Sequence, residues 1–167
     1  MTRWQIGPLT PEYTRGLAEC HIACWREAYQ GLVPSYVLDA FQVEPLAQRW
    51  GRDAQARPGC IHLARIEGEV CGFAAASPQS AVAEIELHAL YVRAAWYGTG
   101  LAAELLWTAL DPGRSCSLWV FEDNPRALAF YRKHGFELDG GRKVEEFTPA
   151  MQVRLVRAPR PRRAAAG

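Results

Sequence analysis

Two glycines separated by one residue, Gly98 and Gly100, are the first residues in this sequence whose types and spacing suggest chemistry. They lie in the stretch GTGLAA (98–103), which fits the pattern G-x-G-x-x-A of a dinucleotide-binding loop, and the acidic pair Glu122 and Asp123 follows about twenty residues later. Glycines between a strand and a helix let successive backbone N–H groups converge on a phosphate, and the helix adds the positive end of its dipole. The stretch therefore predicts a loop that binds a diphosphate.

The elements before the loop follow a definite order. A short strand at 3–9 precedes two helical segments, one over 10–31 and one that starts at Ser35 and is expected to be bent or interrupted at Pro45. Two apolar runs joined around Gly68 predict an antiparallel hairpin, and a further strand over 83–92 leads into the glycines.

The elements after the loop alternate. Apolar residues recur at helical spacing over 99–110, and a strand follows at 116–121. Asn124 as N-cap with Pro125 next to it predicts a helix that ends at Gly135, before strands at 136–140 and 149–156. Each strand-helix-strand unit predicts a parallel crossover.

This order argues against a nicotinamide-type enzyme. A dinucleotide-binding fold places its fingerprint directly after the first strand of a doubly wound parallel sheet. Here the glycines follow an antiparallel hairpin, and too little chain remains for a second half. A P-loop is excluded because neither glycine begins a G-x-x-x-x-G-K-[ST] string.

Two motifs suggest another way of holding a diphosphate. LYV at 90–92 is followed by YGTGLA at 97–102, and the run from Asn124 to Phe136 fits N-x-x-A-x-x-x-Y-x-x-x-G-F. Both motifs resemble those of the GNAT superfamily of N-acetyltransferases, whose first signature, Q/R-x-x-G-x-G/A after a strand ending in L-Y-V, aligns with the first of them in all but Tyr97. Together the two regions cover about residues 84–141, and the order of elements is similar to the family from residue 3 to 156.

The resemblance implies an α+β GNAT fold, with a mixed central sheet whose parallel strands splay apart between flanking helices. It also implies that acetyl-CoA is bound, with no metal. The implied coenzyme-binding residues are Leu90, Tyr91, Val92, Tyr97, Gly98, Thr99, Gly100, Leu101, Ala102 and Asn124. Tyr97 and Ala94 depart from the Gln or Arg and the Pro that the family prefers, so diphosphate binding is expected to rest on the backbone.

The family's chemistry implies direct attack of an amine on the thioester, which requires a base at neutral pH. Glu84 and Glu86 are the candidates, and the family's spacing favours Glu84. The resemblance places a β-bulge near Leu90 that frees backbone N–H groups for the acetyl carbonyl. Tyr131 is the candidate acid for the leaving thiolate, and packing within its helix is the alternative reading.

Other residues favour structural interpretations. Five cysteines without C-x-x-C spacing predict buried thiols, and Cys20, His21 and Cys24 lack the second pair that a metal site needs. A stretch around Trp25, with Glu27, Tyr29 and Tyr36, resembles the acceptor side of the family, although core packing explains Trp25 equally well.

The charge distribution bears on partners. Four arginines lie in the last eleven residues, and without them the net charge falls from +1 to −3, which argues against nucleic acid as a partner. We expect a single domain over 1–156, a disordered Arg/Pro/Ala tail over 157–167, and no membrane helix or signal peptide, hence a cytoplasmic protein. The partner is expected to be a small-molecule or peptide amine, and a homodimer is left open.

The sequence thus predicts an acetyl-CoA-dependent N-acetyltransferase acting on a primary amine in a ternary complex. Two alternatives stay open: an acyltransferase that uses another acyl-CoA, and a coenzyme A binding or regulatory module without turnover.

Overall fold

A seven-stranded sheet with the order β1-β2-β3-β4-β5-β7-β6 forms the centre of the computed structural model, which describes residues 3–79 and 84–160. The strands are β1 (Gln5–Pro8), β2 (Ile61–Ile66), β3 (Glu69–Ala76), β4 (Ile85–Val92), β5 (Cys116–Phe121), β6 (Glu137–Val144) and β7 (Met151–Arg157). The helices are α1 (Thr14–Tyr29), α2 (Ser35–Asp39), α3 (Val43–Ala56), α4 (Leu101–Ala109) and α5 (Pro125–Lys133). Among the seven described strands only β4 and β5 pair in parallel, so the predicted mixed sheet is confirmed.

The helical region before the hairpin differs from the prediction in its breaks. The segment at 10–31 opens with a 3-10 turn at Pro11–Tyr13 before α1 begins. The second segment is interrupted after α2, and Gln42 is the extended residue that precedes α3. Pro45 is the third residue of α3, where an amide has no partner within the helix, so proline is tolerated there and does not break it.

The two central strands separate along their length. In β4 only Ile85–Leu87 pairs with β5, and its partners are Cys116–Leu118. The antiparallel pairing of β4 with β3 continues to Val92. Beyond Leu87, β4 therefore has a neighbour on one side only, and its other edge faces the diverging end of β5. A strand edge in the middle of a sheet leaves backbone N–H and C=O groups available to a ligand.

The last two strands do not follow chain order in the sheet. β6 pairs with β7, and β7 pairs with β5, so β7 lies between the two strands that α5 connects. The predicted second parallel crossover, from β5 through α5 to β6, is therefore present, with β7 lying between its two strands. Both pairings are antiparallel, and β6 runs parallel to β5 one strand away.

Apolar side chains cover both faces of the sheet. On one face, α4 packs Leu101, Leu105 and Leu106 against β4 and β5 residues such as Ile85 and Leu118. On the other face, α1 and α3 pack around Phe73 of β3. The two helical layers hold β4 and β5 in place at the ends where these strands pair.

The C-terminal strand extends past the boundary predicted at residue 156. Arg157 is the last residue of β7 and pairs with Cys116, and its buried guanidinium donates to the carbonyl oxygens of His134 at 3.2 Å and Pro112 at 3.1 Å. Residues 161–167 of the predicted tail lie outside the described residues. Within 3–79 and 84–160, no helix is both long and apolar enough to cross a membrane.

Candidate functional site

A cleft of about 630 Å³ occupies the gap between the diverging strands. The second half of β4 and the end of β5 form its floor, the N-terminal turns of α4 and α5 flank it, and α1 closes one end with Trp25 and Tyr29. Concave sites of this size hold small molecules and cofactors in proteins. Because the floor consists of unpaired strand edges, the cleft combines backbone polar groups with apolar walls.

The glycine loop lies at the mouth of this cleft. Gly98 and Gly100 have φ values of 73° and 93°, a left-handed conformation that glycine adopts without strain. Gly100 is the residue that caps α4, and the Thr99 hydroxyl donates to the carbonyl of Trp96 at 2.7 Å, which pins the loop. The Leu101 amide donates to the Thr99 hydroxyl at 3.5 Å, whereas the next amides of the first turn of α4 have no partner within the helix and are available to an anion.

Most of the predicted coenzyme-binding residues meet at the cleft. The residues that line it are Leu90, Tyr91, Val92, Tyr97, Gly98, Gly100, Ala102 and Asn124. Thr99 and Leu101 do not line it, since the Thr99 hydroxyl faces Trp96 and the Leu101 side chain is fully buried in the core. Asn124 also caps α5, because its side-chain oxygen accepts from the amide of Ala127 at 3.2 Å.

A β-bulge lies in β4 at the point where the cleft opens. Ala75 pairs with Ala89 and Ala76 pairs with Leu87, so His88 is the extra residue. The bulge is two residues before Leu90, near which it was expected. It reverses the alternation of side chains, which places Leu87, Leu90 and Val92 in the core beneath α4.

Tyr131 of α5 lines the cleft and lies among aromatic side chains. Its ring packs edge-on against Phe130 and Phe136, and the residue is 9% exposed. Burial, with a smaller contribution from nearby Tyr29, raises the pKa of the Tyr131 phenol well above its ordinary value. Within the described part of the chain its hydroxyl has no hydrogen-bond partner. At neutral pH Tyr131 is therefore a protonated donor beside the cleft.

The two candidate carboxylates occupy different environments. Glu86 lies on β4, lines the cleft, and is held in place by its amide, which donates to the Ser77 hydroxyl at 2.9 Å. Glu84 precedes β4 and is not among the lining residues, and its carboxylate accepts from Arg154 at 2.6 Å. The geometry brings Glu86, but not Glu84, together with the glycine loop and Tyr131.

Aromatic residues form the end of the cleft near α1. Trp25 contacts Tyr29 and Phe147, and the hydroxyls of Tyr29 and Tyr91 share a hydrogen bond of 2.9 Å. Burial raises the pKa of Tyr29 to about 12. Phe147 was not identified from the sequence, because only the folding of the segment between β6 and β7 brings it against Trp25. Trp119 of β5, which also lines the cleft, was not identified either.

The remaining residues of the predicted acceptor segment lie elsewhere. Tyr36 is 68% exposed and outside the cleft. Glu27 supports the loop before α4, since its carboxylate accepts from the Arg93 guanidinium at 3.0 Å and the Ala94 amide at 2.8 Å. Burial opposes ionisation of Glu27, but these hydrogen bonds outweigh it and lower the pKa.

Four of the five cysteines are buried free thiols, and Cys60 is half-buried. Cys24 lines the cleft, and its sulfur lies 3.8 Å from that of Cys20. The contact with Cys20, followed by burial, raises the pKa of the Cys24 thiol, so it stays protonated at neutral pH. No group of three or more His, Cys, Asp or Glu side chains arranged to hold a metal ion occurs in the described ranges.

The fold and the cleft define a class of protein, an α+β domain with a cleft between two splayed parallel strands. Residues 19–136 match the family described as Acetyltransferase (GNAT) family. Because the match covers more than half of the chain, the protein belongs to the GNAT acetyltransferase family, which confirms the predicted membership and supports acetyl transfer as its general activity.

Individual relatives agree with this assignment. The chain is 28% identical over 129 residues to a probable N-acetyltransferase of Mycobacterium tuberculosis, covering 74% of each chain. It is 38% identical over 88 residues to an uncharacterized N-acetyltransferase of the same organism, covering 49% of this chain and 55% of that protein.

Solved structures agree on the fold. The PaiA N-acetyltransferase of Thermoplasma acidophilum in complex with coenzyme A has a TM-score of 0.74 at 19% identity, covering 93% of this chain and 99% of that one. YncA of Salmonella typhimurium, with its cofactor acetyl-CoA, has a TM-score of 0.69 at 13% identity, covering 98% of both chains. The predicted GNAT fold is thereby confirmed.

Proposed function

We propose that this protein is an N-acetyltransferase that moves an acetyl group from acetyl-CoA to a primary amine of a small molecule or peptide. The observation that carries the proposal is the cleft between β4 and β5, which joins the glycine loop, the unpaired edge of β4, Glu86 and Tyr131. Membership of the family and relatives described as N-acetyltransferases support it.

The residues fit the chemistry of the coenzyme. The left-handed glycines and the first-turn amides of α4 after Leu101 suit a diphosphate, and the edge of β4 at Leu90–Val92 suits the amide groups of a pantetheine arm. Backbone N–H groups freed by the bulge at His88 would stabilise negative charge that develops on the acetyl oxygen. Acetyl-CoA itself supplies a thioester that a neutral amine can attack.

The base is assigned to Glu86. An ammonium group must lose a proton before its nitrogen can bond to the acetyl carbon, and a carboxylate within the cleft can accept that proton directly or through a water. Glu86 lines the cleft, whereas the carboxylate of Glu84 pairs with Arg154 outside it. The structure therefore favours Glu86, although the family's spacing favours Glu84.

The acid is assigned to Tyr131. When the carbon–sulfur bond breaks, the sulfur carries the electron pair and needs a proton to leave as a thiol. Tyr131 has a protonated phenol, and its hydroxyl has no other partner within the described part of the chain. The packing of its ring against Phe130 and Phe136 orients the hydroxyl, so a packing role and a role as the acid are compatible.

The decisive experiment is release of free thiol from acetyl-CoA on mixing with panels of amino acids, polyamines, aminoglycosides and peptides. Amine-dependent thiol release together with an acetylated product would support the proposal. Release from a longer acyl-CoA in preference to acetyl-CoA would indicate an acyltransferase of another type. Tight binding of acetyl-CoA in calorimetry without release for any amine would indicate a binding module.

A further inference from the structure

An arginine from α5 lies over the side chain at the edge of the glycine loop. The guanidinium carbon of Arg126 is 3.6 Å from the ring centroid of Tyr97, and both residues line the cleft. Arg126 is the second residue of α5, whereas Tyr97 precedes Gly98. The contact therefore joins the N-terminal end of α5 to the loop that precedes α4, across the mouth of the cleft.

The charge of Arg126 is not compensated by a carboxylate. Other arginines around the site form ion pairs: Arg93 with Glu27, Arg142 with Glu122, and Arg154 with Glu84 and Asp139. Among the ion pairs of the described residues none includes Arg126, and the first turn of α5 contains no acidic residue.

The position makes this cation unfavourable without an anion. The N-terminal turn of a helix has a positive potential that disfavours arginine, and the first turn of α4 adds a second positive end nearby. Stacking on Tyr97 orients the planar guanidinium, whose N–H groups point outward from the edge of its plane. Such groups bind phosphate oxygens with two parallel hydrogen bonds.

We propose that Arg126, held by the ring of Tyr97, binds the diphosphate of coenzyme A and provides from α5 the side-chain donor that position 97 lacks. The inference rests on the proposed function, because it takes coenzyme A as the ligand of the cleft. Tyr97 is a positioning residue in this arrangement. Its ring does not contact the diphosphate but stacks on the Arg126 guanidinium and orients it. The pair also explains why an exposed tyrosine lies beside the glycine loop.

The test compares coenzyme A with dephospho-coenzyme A, which lacks the 3′-phosphate but keeps the diphosphate. Arg126→Gln is expected to weaken the binding of both by about 10- to 100-fold in calorimetry, since it removes charge-assisted hydrogen bonds. It should also reduce the salt dependence of binding. Tyr97→Leu is expected to weaken both by a smaller factor, whereas Tyr97→Phe keeps the platform and should bind as the unmodified protein does.

Arg132→Gln is the matched control, because it removes one positive charge from the exposed side of the same helix, away from the cleft. Equal affinity of Arg126→Gln and the unmodified protein would overturn the inference. A loss confined to coenzyme A would also overturn it, because that result assigns Arg126 to the 3′-phosphate. If the unmodified protein binds no coenzyme A, the proposed function fails instead.

Discussion

At the scale of single residues, Tyr131 separates an enzyme from a binding module. Tyr131→Phe keeps the packing against Phe130 and Phe136 and removes only the hydroxyl. We expect kcat to fall by about 100-fold, because the thiolate loses its proton donor, while affinity for acetyl-CoA stays nearly unchanged. Steady-state kinetics and calorimetry measure the two effects. A loss of affinity with kcat unchanged would show that Tyr131 has a binding or packing role only.

The two glutamates make a matched pair for locating the base. In Glu86→Gln the side chain keeps its size but cannot accept a proton, so we expect a slower reaction and loss of the decline in rate at acidic pH. Glu84→Gln should keep the pH–rate profile, because the carboxylate of Glu84 is paired with Arg154 outside the cleft. Profiles of kcat/KM against pH for the two variants decide between them. The opposite result would restore Glu84 as the base.

At the scale of elements, the loop between β4 and α4 depends on glycine geometry. Gly100 has φ of 93° at the start of α4, a conformation that a β-branched residue rarely adopts. Gly100→Val is therefore expected to distort the loop and weaken acetyl-CoA binding on the order of 100-fold, since the amides no longer converge on the diphosphate. Calorimetry measures this loss.

Gly59→Val is the control for backbone strain. Gly59 has φ of 76° in open space and does not line the cleft. The Gly59→Val variant should have a lower melting temperature, as Gly100→Val should, but unchanged affinity for acetyl-CoA. If both variants bind acetyl-CoA as the unmodified protein does, the glycine loop is not the diphosphate site.

At the scale of the whole molecule, His21 lies where the layers of the fold meet. Its ring contacts aromatic residues of α1, α3, β3 and β4, and its Nδ1 accepts from the indole N–H of Trp50 at 3.1 Å. Burial lowers the pKa of His21 from 6.5 to about 4. Between these values the unfolded chain binds a proton that the folded chain does not, so stability falls as the pH falls through this range.

We expect His21 to account for about 2 kcal/mol of the loss in unfolding free energy between pH 7 and pH 4.5. His21→Gln does not titrate and still offers an oxygen to Trp50, so its stability should decline less over the same range. Urea unfolding at the two pH values measures the difference. Parallel declines in the two proteins would show that His21 is not responsible.

The sequence by itself determined the features that depend on neighbouring residues. The order of most elements, the hairpin at Gly68, the N-cap at Asn124 and the glycine loop before α4 follow from local periodicity and backbone preferences. The two motifs also identified the family, because each is a short pattern of residues that can be recognised in a single sequence.

Only the tertiary structure decided the features that depend on distant contacts. Glu84 and Glu86 are alike in sequence, and the ion pair with Arg154 of β7 distinguishes them. The insertion of β7 beside β5, the presence of Phe147 at the cleft, and the stacking of Arg126 on Tyr97 likewise join residues far apart in the chain. Local patterns constrain φ, ψ and amphipathicity, but the pairing of elements depends on the free energy of the packed whole.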